Sequence, residues 1–126
     1  MDKAGLSVPR NYVAQASYVS DDSQRAAREL LTLEKRPTAI FAASDIQAVS
    51  ILKVARLMHL KIPQDLAIIG FDDIDLAEHM DLTTIRQNLD ESGRLAVEIL
   101  LGRIPESERS LQHITLPLRL IDRLTA

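Results

Sequence analysis

Cysteine is absent from the 126 residues. Without thiols, a disulfide framework, a thiolate metal site and a cysteine nucleophile are all excluded, and a reducing cytosol is a permitted environment. An overall positive field is missing as well: 15 Lys and Arg stand against 18 Asp and Glu, a formal charge of −3. Neutralising phosphates is the main source of non-specific nucleic-acid affinity, so this chain by itself is not expected to bind DNA. Long apolar runs are lacking, and Met1-Asp2-Lys3-Ala4-Gly5 forms no signal core. The expectation is a cytoplasmic protein with no membrane partner. A Gly-rich phosphate loop, a Gly-x-Ser-x-Gly elbow and a paired lysine are missing too, which leaves phosphoryl and acyl transfer without their usual apparatus.

What is present suits one globular domain, with 46% hydrophobic residues and a length short for two. Short apolar runs alternate with longer amphipathic stretches, the pattern of βαβ units, so the expected class is α/β with an open, mainly parallel sheet and helices on both faces. Residues 12–19 read as a first strand. Asp21 or Asp22 then caps a helix carrying Ala26, Ala27, Leu30, Leu31 and Leu33 inward, and Pro37 marks the turn beyond it. The run 39–43 reads as a central strand covered on both faces. Ser44 with Gln47 forms a capping box for a helix to about Met58, whose polar stripe is Gln47, Ser50, Lys53 and Arg56. Pro63 sets a turn before a buried strand at 66–71, and a polar loop precedes a further strand at 82–87. Asp90 caps a helix to about Leu101 that ends at Gly102. A charged loop over 106–110 leads to strands at 111–116 and 118–121, interrupted by Pro117.

In open parallel sheets, ligands sit beyond the carboxyl ends of the strands, which places Ser44, Asp45, Asp72, Asp73 and Gln87 on one rim. Carboxylates and amides fixed there suit a polyhydroxylated ligand, whose hydroxyls need donors and acceptors, and Tyr18 at the end of the first strand offers an aromatic face. Each residue also has a structural reading. Ser44 caps a helix; Asp45 complements a helix dipole. Asp72 and Asp73 could be turn residues, Gln87 could satisfy backbone at a strand end, and Tyr18 could cap the sheet edge. His79 lies near Asp75, but their spacing matches no metal-ligand motif, and His59 and His113 read as surface histidines. Asp73 with Asp75 is the pattern of a phosphotransfer pair using magnesium, yet nothing else in the chain supports it. No catalytic residue, metal or cofactor is expected.

Three segments carry a likeness. Arg36-Pro37-Thr38-Ala39-Ile40-Phe41-Ala42-Ala43-Ser44-Asp45, then Ile62-Pro63-Gln64-Asp65-Leu66-Ala67-Ile68-Ile69-Gly70-Phe71-Asp72-Asp73, then Leu82-Thr83-Thr84-Ile85-Arg86-Gln87 resemble three successive blocks of LacI/GalR-type transcriptional regulators, in order and spacing. The resemblance implies a regulator with a helix-turn-helix headpiece, a hinge and a two-subdomain effector module like the periplasmic sugar-binding proteins, usually homodimeric. It implies that Asp72 grips a small sugar-like effector, that Ser44 adds a polar contact, that Gln87 faces the cleft at the crossover, and that Tyr18 supplies the aromatic wall; Asp45, placed on the rim by topology, completes the expected effector-binding set. Asp22-Ser23 stands where members commonly have Ser-Gly.

The same resemblance divides the chain into part of the C-terminal subdomain (10–87 and 111–124) and a crossover helix (90–102) that normally packs on an N-terminal subdomain. Operator DNA would be read only through the headpiece, and headpiece, hinge and N-terminal subdomain are not matched by these residues. An effector would then be held from one side, weakly. The helix would cover Leu95, Ile99 and Leu100 on a second copy or by folding back on its own sheet. A stand-alone or periplasmic-type sugar-binding module is the alternative, and an Asp-dependent phosphotransfer enzyme the remote one.

Overall fold

The computed structural model describes residues 5, 7–104 and 112–126. Four helices and four strands follow in the order α1 (Ser20–Leu31), β1 (Ala39–Phe41), α2 (Asp45–Leu57), β2 (Ala67–Asp72), α3 (Asp75–His79), β3 (Thr84–Arg86), α4 (Leu89–Arg103) and β4 (Arg119–Ile121). The sheet order is β1-β2-β3-β4; the first two pairings are parallel and β3–β4 is antiparallel. The α/β class and the open, mainly parallel sheet are therefore what the chain forms.

The core comes from a few locally legible decisions. In α1 the inward residues Ala26, Ala27, Leu30 and Leu31 are buried, as their helical spacing requires. Asp21 and Asp22 in its first turn and Arg28 in its last complement the helix dipole. Helix α2 starts where Ser44 Oγ accepts from the Gln47 amide at 3.3 Å, and it buries Ala48, Ile51, Leu52, Val54 and Ala55 between α1 and β2. With Leu66, Ile68 and Leu82 these residues make one cluster. Burying each large member contributes about 1.5–3 kcal/mol.

The helices are placed less evenly than expected. Ile40, Ile68 and Gly70 turn toward the covered face, whereas Ala39 and Phe41 are exposed and Ala67, Ile69 and Phe71 are half-buried. Phe41 and Phe71 meet edge to face at 6.3 Å on that open side. Strand β1 is thus an edge of the described sheet, not the expected central strand, and β2, paired on both sides, is central, with one face buried and the other half-buried.

Other expectations change for identifiable reasons. Residues 12–19 form no strand: a short 3-10 turn at Arg10–Tyr12 is followed by irregular chain. Side chains take the backbone groups of Ala16 and Ser17: Gln47 Nε2 donates to Ala16 O at 3.1 Å, Ser23 Oγ donates to Ser17 O at 3.1 Å and Asp22 accepts from the Ser17 amide at 2.6 Å. Gln47 therefore does not close the capping box back onto Ser44. Helix α1 begins before Asp21, with Val19 at its cap position, and Asn88 rather than Asp90 precedes α4. Gly102 lies inside α4, not beyond it. The polar loop contains α3, which buries Ala77. In the polar stripe of α2, Ser50 faces inward against Ser20, and Lys53 and Arg56 face out. Residues 112–118 form no strand, and strand pairing resumes only at Arg119; the charged loop 106–110 and Leu111 lie outside the described residues.

Candidate functional site

Because β1, β2 and β3 run parallel, their carboxyl ends open on one side of the sheet. Asp72 closes β2 and Gln87 follows β3, one residue beyond Arg86, the register partner of Asp72. Gln87 Nε2 donates to Asp72 Oδ1 at 2.7 Å. The two residues expected to face a ligand are thus joined, and each is half-buried.

The chain after β2 is strained. Asp72 has φ 114° and Asp73 φ 56°, left-handed values that non-glycine residues avoid, at about 1–3 kcal/mol each. Three groups oppose that strain. Asp45, with no exposed surface, accepts from the Ile74 amide at 2.9 Å on Oδ2 and from Thr84 Oγ1 at 2.5 Å on Oδ1. Arg123 Nη2 donates to Asp73 Oδ1 at 2.8 Å, and Arg86 Nε pairs with Asp73 Oδ2. The Asp73 side chain is only 3% exposed. Burial pushes its carboxyl up, and the hydrogen bonds and charges of Arg123 and Arg86 more than reverse this, holding it below the usual carboxylate range.

Asp45 therefore faces inward: both of its oxygens serve the fold, tying the start of α2 to β3 and to the turn after β2. Gly70 permits this approach, since a Cβ there would lie 2.2 Å from Asp45 Oδ1. Ser44, 3% exposed, caps α2 one residue from the rim. Tyr18 is 70% exposed, on the loop that Gln47 and Asp22 fasten to the N-terminal ends of α2 and α1. The Ser17 amide and then Arg25 hold the Asp22 carboxyl down at about 2. Asp72, Gln87, Ser44 and Tyr18 thus share one end of the molecule, and only Asp72 and Gln87 touch directly.

The phosphotransfer pattern finds no geometry here. Asp73 is engaged by two guanidinium groups, and Asp75 is exposed on α3. His79 Nδ1 lies 2.7 Å from Asp75 O, as within a helical turn, and among the described residues no group of three or more His, Cys, Asp or Glu is placed to hold a metal. His59 and His113 are exposed.

Arg86 and Arg123 are the residues that sequence reasoning missed. The signal was the acid itself, because a second carboxylate after a buried strand needs a cation when it turns inward. Arg123, fifty positions from Asp73, could not be selected by local spacing. A cavity of about 1160 Å³ lies elsewhere, between Tyr12, Val13, α1 and the β1 edge at Ala39 and Phe41. It reaches the rim only at Ser17, Ala43 and Gln47.

Residues 1–126 match the family described as the periplasmic binding protein-like domain. The chain is 38% identical to the ribose operon repressor of Escherichia coli K12 over 128 residues, covering 100% of this chain and 39% of that protein. It is 36% identical to the HTH-type transcriptional repressor PurR of Klebsiella pneumoniae strain 342, over 98% of this chain and 37% of that protein. The solved complex of the transcriptional regulator CelR with cellobiose superposes with a TM-score of 0.90 at 29% identity, covering 98% of this chain and 38% of that one. The chain thus spans less than two fifths of the length of the curated relatives it matches.

Proposed function

Since the chain belongs to the periplasmic binding protein-like family, as that domain occurs in LacI-type transcriptional regulators, we propose that it supplies one wall of a small-molecule effector cleft. The observation that carries this reading is the Asp72–Gln87 pair at the strand ends, 2.7 Å apart and mounted on a strained turn. Asp72 Oδ2 has no protein partner among the described residues and can accept from a hydroxyl. The Gln87 amide offers a donor and an acceptor to its neighbour, the pattern that adjacent sugar hydroxyls need. Tyr18 gives an apolar face for a sugar ring. Ser44 supports the rim through α2, and Asp45 supports it from beneath. The cellobiose bound by CelR favours a sugar.

In the complete regulator the effector acts by preferring one arrangement of the subdomains, which shifts the population able to grip operator DNA. DNA contact would come from a headpiece outside the matched length, and the setting would be cytoplasmic. Within the described residues, no helix is long and apolar enough to cross a membrane.

Self-association belongs to the same reading. Helix α4 has no buried residue, and Val97, Leu100, Leu101 and Ile104 are 55–71% exposed. The helix does not fold back on its own sheet; it leans over residues 112–118, leaving a cavity of about 400 Å³ between them. A second copy or the rest of the effector module would cover this face.

The test is saturation-transfer NMR of this chain with ribose, other sugars and purines, repeated on Asp72→Asn. Binding held from one side is expected to be weak, on the order of millimolar, and lost in Asp72→Asn. Equal binding by both proteins would remove Asp72 from the site.

A further inference from the structure

Asp72 and Asp73 are adjacent carboxylates, both in left-handed backbone, yet their surroundings differ. Asp72 meets one neutral amide. Asp73 turns inward to two guanidinium groups, and both groups sit on paired strands or on chain stitched to them. Arg86 belongs to β3 and is the register partner of Asp72.

Arg123 is held at several points. Its Nη1 donates to Leu82 O at 2.7 Å and its amide donates to Thr83 Oγ1 at 3.0 Å. The next residues continue the seam. The Leu124 amide donates to Asp81 O at 3.0 Å, and Thr125 Oγ1 donates to Ile68 O at 2.7 Å while accepting from the Thr83 amide at 2.9 Å. The Ile68 amide in turn donates to Thr125 O at 2.7 Å. The segment after β4 is therefore sewn to β2 and to the entry of β3, and it presents Arg123 to Asp73 from a fixed base.

We propose that Arg123, with Arg86 assisting, is a positioning residue for effector binding: through the Asp73 carboxylate it holds the Asp72–Asp73 turn in the conformation that aims Asp72 and Gln87 outward. The proposal rests on Asp72 being the effector acid. It divides the acidic pair into a ligand group and an anchor, and it gives the last residues of the chain a part in recognition although none stands at the rim. The opposite arrangement, in which Asp73 is a second ligand acid restrained by the arginines, makes the reverse prediction, because freeing Asp73 would then tighten binding.

The experiment titrates ribose into the chain by NMR, comparing wild type with Arg123→Met, Arg123→Lys, Asp73→Asn and the Arg123→Met/Asp73→Asn pair, with circular dichroism to verify folding. Arg123→Met is expected to weaken binding by about tenfold, as loss of a residue that orients a ligand group does elsewhere. Arg123→Lys should recover part of that loss, since a charge remains but the fork that also reaches Leu82 O is gone. The double variant should lose no more than either single one, because the two side chains act as one unit. Should Arg123→Met be unfolded, Arg86→Met, from a half-exposed position, is expected to show the same loss at smaller size.

A second readout separates this idea from the effector reading. The amide shift and the HN–Hα coupling of Asp72 report the turn without any ligand, and in Arg123→Met they should move away from left-handed values. If wild type binds no sugar but these signals move, the effector reading fails and the positioning of the turn stands. If they stay unchanged, or if Arg123→Met binds ribose as well as or better than wild type, the proposal is overturned.

Discussion

The sheet with α1 to α3 and the arm made by α4 with residues 112–118 are built to different standards. In the first, Leu52, Leu66, Ile68 and Leu82 are fully buried, and even the buried polar groups Asp45, Thr84 and Thr125 have partners. In the second, a fifteen-residue helix has no fully buried residue, and its Leu95 and Ile99 are only half-buried. It is held on its outer face by Arg94 pairing with Glu91 and Glu98 at 2.5 Å, and exposed i, i+3 and i, i+4 pairs are worth only tenths of a kcal/mol. One region supports itself and presents the rim; the other leaves Val97, Leu100, Leu101 and Ile104 uncovered.

The sharpest way to break this contrast is truncation in each region. Ile68→Ala in β2 is expected to cost about 2–5 kcal/mol, read by urea unfolding. Leu100→Ser in α4 should shift the same midpoint by no more than about 0.5 kcal/mol. If the two substitutions cost alike, α4 is covered within a single copy.

A smaller effect tests the polar core beneath the rim. Asp45→Ala leaves the Thr84 hydroxyl and the Ile74 amide unpaired, which is expected to cost about 1–3 kcal/mol. It should also perturb the Asp72 amide shift by NMR, although Asp45 itself does not face the cleft. For the arm, light scattering across a concentration series should show self-association that Leu100→Ser with Leu101→Ser reduces. A monomer whose α4 amides are protected from hydrogen exchange would contradict the interface reading.

The smallest expected effect is electrostatic. Asp73 is held below its ordinary value in the fold, so its contribution is complete above about pH 4, the unfolded value. It is lost as the pH falls through the lower folded value. Unfolding at pH 7 and pH 3 should show wild type losing stability toward that of Asp73→Asn, with the gap between them narrowing. Half-buried Asp22, held at about 2, acts in the same direction, weakly and mainly between about pH 4 and pH 2.

What the residues revealed beforehand was whatever local pattern can encode. The apolar run 66–71, the Ser44 cap and the apolar spacing of α1 were legible because a buried strand, an N-cap and a helix face each leave a mark within a few positions. The strand expected at 12–19 failed because extended chain becomes a strand only beside a partner, and here Gln47, Asp22 and Ser23 take its backbone groups instead. Ser44 and Gln87 stood out by their place at strand ends. Asp45 was put on the wrong side of the same rim, since its partners Thr84 and Ile74 come from later elements. Arg123 was invisible for the same reason, its acid lying fifty residues away.

Strand β1 ends the described sheet with Phe41 60% exposed beside it. An uncovered parallel edge next to an apolar ring is a template on which a like strand from another molecule can add, and further molecules can follow. The expected consequence is self-association at high concentration, limited by the three-residue length of that edge. A lysine in place of Phe41 is the substitution that would blunt that growth while leaving the buried face of the sheet untouched.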